Sequence, residues 1–161
     1  MNGIIYYEKH IGYMHISEEN GFVTGLGFGK GEYDGIVRTA SETLRRACLQ
    51  LDEYFGGQRK KFDLPLKISG SEFRMRVWSE LGKTEYGETV SYKYIAQKTG
   101  NPKACQAVGG AVHCNPIAII IPCHRVIGTD GSLVGFAGGI EIKRYLLDLE
   151  KKYGFAWGDY K

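Results

Sequence analysis

Hydrophobic positions along this chain follow two rhythms in succession. Near the N-terminus they fall in short β-prone runs at 4–7, 12–16 and 21–28, and Glu19-Asn20-Gly21 supplies hairpin-turn chemistry between the last two. This pattern predicts a three-stranded antiparallel meander, with His10 and His15 as structural members of the strands. After Ser41 the period becomes helical. Leu44, Ala47, Cys48, Leu51 and Phe55 share one face, Ser41 caps the start and Gly56-Gly57 ends the run.

Residues 58–71 carry Arg59-Lys60-Lys61, Pro65 and Gly70-Ser71, which break any period and read as a connector. A helix is predicted over 72–81, with Phe73, Val77, Trp78 and Leu81 inward, and Tyr86-Gly87-Glu88 as a turn. Ser91 then caps a short helix at Tyr92–Lys98, Thr99-Gly100 stops it, Asn101 caps again and Pro102 takes the first position of the next. This is the punctuation of a helix-turn-helix. In the second helix, 102–114, Ala104, Ala107, Val108, Ala111 and Val112 are expected to face inward, and Lys103, Gln106, Gly110 and His113 outward. Gly109-Gly110 leaves the outer side bare at a cost of about 1 kcal/mol per glycine. Close approach of a large partner and tight helix packing both account for that. A final helix from Ile140 to Tyr153 places Ile142, Tyr145, Leu146 and Leu149 inward, with Glu150 at the stripe's edge, either solvated or orienting a histidine.

One stretch combines pattern with chemistry. Ile117-Ala118-Ile119-Ile120-Ile121 reads as a short buried extended segment, and Pro122 fixes the angle at which Cys123 is presented. His124 and Arg125 follow at once. A thiol beside two potential cations is in surroundings expected to lower its pKa, although a buried inert cysteine is the alternative.

Composition adds limits. With 161 residues, 43% hydrophobic and 24% charged, the chain is ordinary globular material, long enough for one substantial domain or two small ones. No apolar run is long enough to span a bilayer, and residues 1–8 lack the design of a secretion signal, so an intracellular protein is expected. Cysteines at 48, 105, 114 and 123 show no Cys-x-x-Cys spacing, which argues for free thiols and against zinc. Residues 1–65 hold 8 Lys+Arg against 9 Asp+Glu, and residues 66–161 hold 13 against 9. The excess of cations in the second half gives modest support to a polyanionic partner there.

Several motifs occur together in a fixed order: Phe73-x-x-x-Val77-Trp78, Tyr86-Gly87-Glu88-Thr89-Val90-Ser91-Tyr92, Ala107-Val108-Gly109-Gly110-Ala111, Asn115-Pro116, Ile121-Pro122-Cys123-His124-Arg125-Val126 and Gly138-Gly139. The set resembles the O6-alkylguanine-DNA alkyltransferases, densely over 71–150 and more loosely over the first 65 residues. The resemblance implies an α/β N-terminal domain at 1–66, a three-stranded antiparallel sheet plus helix. A mostly α-helical C-terminal domain at 67–161 would follow, with the helix-turn-helix and the active site. It implies direct-reversal repair, in which Cys123 takes the alkyl group from O6-alkylguanine once and irreversibly. His124 would take the thiol proton through a water, Glu150 would orient the imidazole, Asn115 would be the hinge and Tyr92 would assist the departing guanine. The DNA-facing set would be Lys103, Gln106, Ala107, Gly109, Gly110 and Arg125, with Val134, Gly135, Phe136 and Ala137 as the pocket loop. The implied partner is double-stranded DNA, read in the minor groove with little sequence preference after base flipping, by a cytoplasmic monomer that needs no cofactor or metal. Two positions depart from the family pattern. Gln106 stands where an arginine usually fills the space of the flipped base, and Phe136-Ala137 stand where relatives often carry hydroxyls.

Overall fold

Alternation along residues 12–19 decides the first sheet. Met14, Ile16 and Glu18 are buried while their neighbours are partly exposed, which puts one strand face on a core. The computed structural model describes residues 2–9, 11–29, 37–38 and 41–154; His10 lies outside the described residues. Strands β1 (Asn2–Lys9), β2 (Gly12–Glu19) and β3 (Phe22–Phe28) form the expected antiparallel meander. A fourth strand, β4 (Val37–Arg38), pairs in parallel with β1, giving the order β3-β2-β1-β4. Two residues carry no alternation, so the sequence pattern could not announce it. His15 is structural as expected: its Nδ1 lies 2.9 Å from the Gly29 carbonyl, and its ring occupies the space that a Cβ at Gly27 would need.

Helix α1 (Glu42–Phe55) is capped by the Ser41 hydroxyl, which accepts from Leu44 N, and it lays Leu44, Ala47 and Leu51 on the sheet. The outer edge of β3 is covered rather than left open. Val23 exchanges backbone bonds with Pro65 and Lys67, and Leu26 with Pro116 and Ala118. The chain accordingly divides into two compact units: Met1–Ile68 with Pro116–Ala118, and Ser69–Asn115 with Ile119–Lys161.

The second unit contains helices α2 (Glu72–Gly82), α3 (Tyr92–Lys98), α4 (Cys105–His113) and α5 (Ile140–Tyr153). A two-stranded parallel pair, β5 (Val90–Ser91) with β6 (Val126–Ile127), joins them. Ser71 and Ser91 cap α2 and α3 with their hydroxyls. Helix α4 packs on α2 and α3 through Val108, Ala111 and Val112. The Trp78 indole donates to the Ala111 carbonyl at 2.8 Å, satisfying a group near the helix end that the intrahelical ladder leaves open.

Three expectations need correction. Helix α4 starts later than Pro102. The Asn101 side chain accepts from Lys103 N, and its carbonyl accepts from Ala104 N, so 101–104 close as a turn instead of a first helical turn. Ala107, expected inward, is exposed: it lies in the first turn of the shortened helix, where only Val108, Ala111 and Val112 reach the core. The 117–121 segment is buried in large part but forms no strand. Ile117 makes a single bridge to Leu26, after which the chain turns through Ile119 at φ +69°. That is a left-handed conformation strained for a β-branched residue.

Candidate active site

The approach to Cys123 is built from Pro122. With φ −81° and ψ 66°, the proline forms an inverse γ-turn, closed by Cys123 N donating to the Ile121 carbonyl at 2.8 Å. The same carbonyl accepts from Asn115 Nδ2 at 2.7 Å. Asn115 thus ties the end of α4 to the turn before Cys123. Residues Cys123–Arg125 then make one 3-10 turn, and all three side chains are buried.

Glu150 is not solvated. It is 1% exposed, and four donors converge on its carboxylate. His124 Nε2 meets Oε2 at 2.5 Å, Arg125 Nε and Nη2 reach Oε1 and Oε2 at 2.7 and 3.1 Å, and Gly87 N donates to Oε1 at 3.1 Å. Burial alone pushes the Glu150 carboxyl up, but the bonds and charges of His124 and Arg125 outweigh it and hold the group well below the usual carboxylate range. An ionised carboxylate only accepts, so His124 Nε2 carries the hydrogen and Nδ1 carries the lone pair. Nδ1 is buried without a protein hydrogen-bond partner. Burial, aided by the Arg125 and Lys143 charges, lowers the His124 pKa against the pull of Glu150 and leaves the ring neutral at rest.

Arg125 corrects another expectation. The resemblance places it in the DNA-facing set, yet it is 5% exposed and its guanidinium is committed inward, with Nη1 donating to the Thr84 carbonyl at 2.7 Å. It is a structural partner of Glu150. The Cys123 thiol also differs from expectation. Burial pushes its pKa up, and the Asn115 side chain, the Lys143 charge and nearby backbone amides only partly offset this. The thiol is protonated at rest and needs a base, which the Nδ1 lone pair can be.

On the outer side, an apolar cleft of about 500 Å³ is lined by Tyr92, Cys105, Gln106, Gly109, Val112, His113, Val134 and Gly135. The Tyr92 hydroxyl donates to the Val134 carbonyl at 2.9 Å. Burial, and secondarily the charge of Cys123, raise the Tyr92 pKa and keep it a donor. A Cβ added at Gly109 or Gly110 would meet nothing within 4 Å, so the bare face of α4 does not serve close helix packing. Lys103, Gln106, Ala107 and Gly110 are exposed with it. In the pocket loop Phe136 is half-buried and Ala137 exposed, and neither is among the residues lining this cleft. His113 was expected on the outward side, but sequence reasoning missed Cys105 and Val112 on the cleft wall and Lys143, which donates to the Val134 carbonyl. Lys143 lies seven residues before Glu150 on the face of Leu146, a spacing that points inward.

Comparison with known proteins agrees with this geometry. Residues 4–68 match the ribonuclease-like domain of 6-O-methylguanine DNA methyltransferase, and residues 72–152 its DNA binding domain. A methylated-DNA–protein-cysteine methyltransferase from Haemophilus influenzae is 40% identical over 151 residues, covering 91% of this chain and 84% of its own. One from Methanosarcina acetivorans is 53% identical over 109 residues, 68% of this chain and 70% of that one. The crystal structure of Mycobacterium tuberculosis OGT in complex with DNA superposes with a TM-score of 0.88 at 40% identity, covering 94% of each chain. The two-part fold is therefore shared with that structure, and the chain belongs to the 6-O-methylguanine DNA methyltransferase family.

Proposed function

We infer that the protein repairs O6-alkylguanine in DNA by direct reversal, transferring the alkyl group to its own Cys123 in a single turnover. The observation that carries the residue assignment is the buried His124–Glu150–Arg125 cluster, which leaves His124 Nδ1 as an unpartnered base behind a protonated thiol. The Cys123 proton passes across a water to Nδ1, and the imidazolium that forms is stabilised by Glu150. The thiolate sulfur attacks the alkyl carbon in line. The S–C bond forms as the C–O6 bond breaks, and the electron pair leaves with the guanine. As charge grows on the base, the Tyr92 hydroxyl turns its hydrogen from the Val134 carbonyl to the base, and the proton taken from sulfur is finally delivered to guanine. The product is a neutral thioether, so each molecule acts once.

Stacked bases do not present O6 substituents for in-line attack, so the lesion enters the cleft flipped out of the duplex. The bare face of α4 lies in the minor groove, with Gln106 filling the vacated space and α3–α4 acting as the helix-turn-helix. Residues 67–161 carry this chemistry as a unit and 1–66 support it. No described helix is long and apolar enough to cross a membrane; the protein works as a cytoplasmic monomer on DNA. The direct test is incubation with an O6-methylguanine duplex, followed by peptide mapping. One methyl on Cys123 per protein is expected. Repeated turnover, or label on another residue, would refute the mechanism.

A further inference from the structure

The segment between α2 and β5 reaches the buried cluster at three points. The Thr84 carbonyl accepts from Arg125 Nη1 at 2.7 Å, Arg125 Cζ lies over the Tyr86 ring at 5.9 Å from its centroid, and Gly87 N donates to Glu150 Oε1 at 3.1 Å. Residues 85–88 form a β-turn, closed by Glu88 N donating to the Glu85 carbonyl at 3.0 Å. Gly87 takes its third position with φ +83°, which leaves the Gly87 N–H to point out of the turn at the carboxylate. A Cβ there would stand in ordinary contact, 3.4 Å from the Glu150 backbone oxygen and 3.6 Å from Gly154 Cα. Backbone angle, and not space, is therefore what calls for glycine. The same stretch of chain runs on into β5, which pairs with the strand that follows Arg125, and ends at Ser91, whose hydroxyl caps the helix opening with Tyr92.

We propose that the 84–87 turn is a positioning element of the reaction, and that the left-handed Gly87 amide is its decisive contact. The assignment rests on Cys123 being the acceptor and His124 its base. The Gly87 amide and the Arg125 fork together fix the plane of the Glu150 carboxylate, so that Oε2 faces His124 Nε2 and the lone pair stays on Nδ1. A donor on Oε1 also favours the ionised carboxylate, which therefore stays an anion beside the imidazolium instead of taking its proton. Thr84 and Tyr86 hold the guanidinium that completes this arrangement. Farther along, the β5–β6 pairing and the Ser91 cap fix the start of α3, and with it the leaving-group donor Tyr92. One short piece of backbone thus sets both the base and the acid.

The test is single-turnover methyl transfer from an O6-methylguanine duplex, followed from about pH 6 to about pH 9.5. Gly87→Val and Gly87→Asn add the same Cβ but differ in their tolerance of a positive φ. Gly87→Val should be about 10–10²-fold slower than wild type near neutrality, and the deficit should shrink in alkali, where the thiol ionises without its base. Gly87→Asn should recover most of the rate. In a His124→Phe background Gly87→Val should slow the reaction no further, because the residue acts through the imidazole. No deficit, a deficit equal at every pH, or one that persists in full without His124 overturns the positioning role while leaving Cys123 as acceptor. Methyl mapping to another residue of the wild type overturns both. Should Gly87→Val fail to fold, Tyr86→Leu takes its place, removing the ring beside Arg125. The same loss near neutrality and recovery in alkali is expected of it, and a loss independent of pH, or none, refutes the role.

Discussion

At Glu150 one carboxylate is shared by an imidazole, a guanidinium and a backbone amide, and the consequences differ by partner. Replacing it with glutamine leaves Arg125 buried without its counter-charge, which should cost about 3–5 kcal/mol of stability in urea unfolding. Acid should weaken the same cluster in two stages. Burial depresses the His124 pKa, so the unfolded chain takes up a proton that the folded site refuses, and stability falls as pH drops below about 6.5. The Glu150 pKa is also depressed in the fold. Its contribution is complete above about 4.3 and is lost as pH falls further. Thermal melts between about pH 7 and about pH 5 should therefore slope less in His124→Phe than in wild type, with the lower stage retained. Catalysis follows the opposite direction. Without its base, His124→Phe should lose about 10²–10⁴ in single-turnover rate near neutrality, and regain much of it in alkali, where the thiol ionises unaided.

Helix α4 separates stability from function at the scale of an element. Gly110 is exposed and has open space where a Cβ would go, so Gly110→Ala should raise stability by about 1 kcal/mol. The same methyl stands on the proposed DNA face, so duplex affinity should fall; a stabilised variant with unchanged DNA binding would remove α4 from the groove. Gln106→Arg, on the cleft wall, should increase the repair rate, because a guanidinium stacks and pairs better than an amide in the space of an extruded base. An equal or lower rate in a single-turnover assay would count against it. Much of this element was legible from Val108, Ala111, Val112 and the two glycines. Its first turn was not, because Asn101-Pro102 signals a helix start and a turn equally well, and only the acceptors that Asn101 supplies separate them.

For the whole molecule, the motif around Cys123, the meander and helices α1 to α5 follow from local pattern, and local pattern is what a sequence records directly. The rest depends on partners distant along the chain. Glu150 and Arg125 look like surface charges until α5 brings them together across 25 residues. Lys143 carries only its spacing as a signal, and the two-residue strands β4, β5 and β6 exist only through their neighbours. The thiol itself was misjudged: adjacent cations suggested an acidified cysteine, whereas burial, invisible in the motif, dominates.

The detour of Pro116–Ala118 onto the edge of β3 has a consequence for anyone who divides this protein. A cut after Ile68 does not yield two self-sufficient pieces. The shorter product keeps its 65–67 cover at Val23 but bares the edge at Leu26, and the longer one carries Ile117, fully buried in the intact chain, with nowhere to put it. Expressed alone, 69–161 should melt lower and aggregate more than the full chain, and Ile117→Ser should improve its solubility while weakening the intact protein.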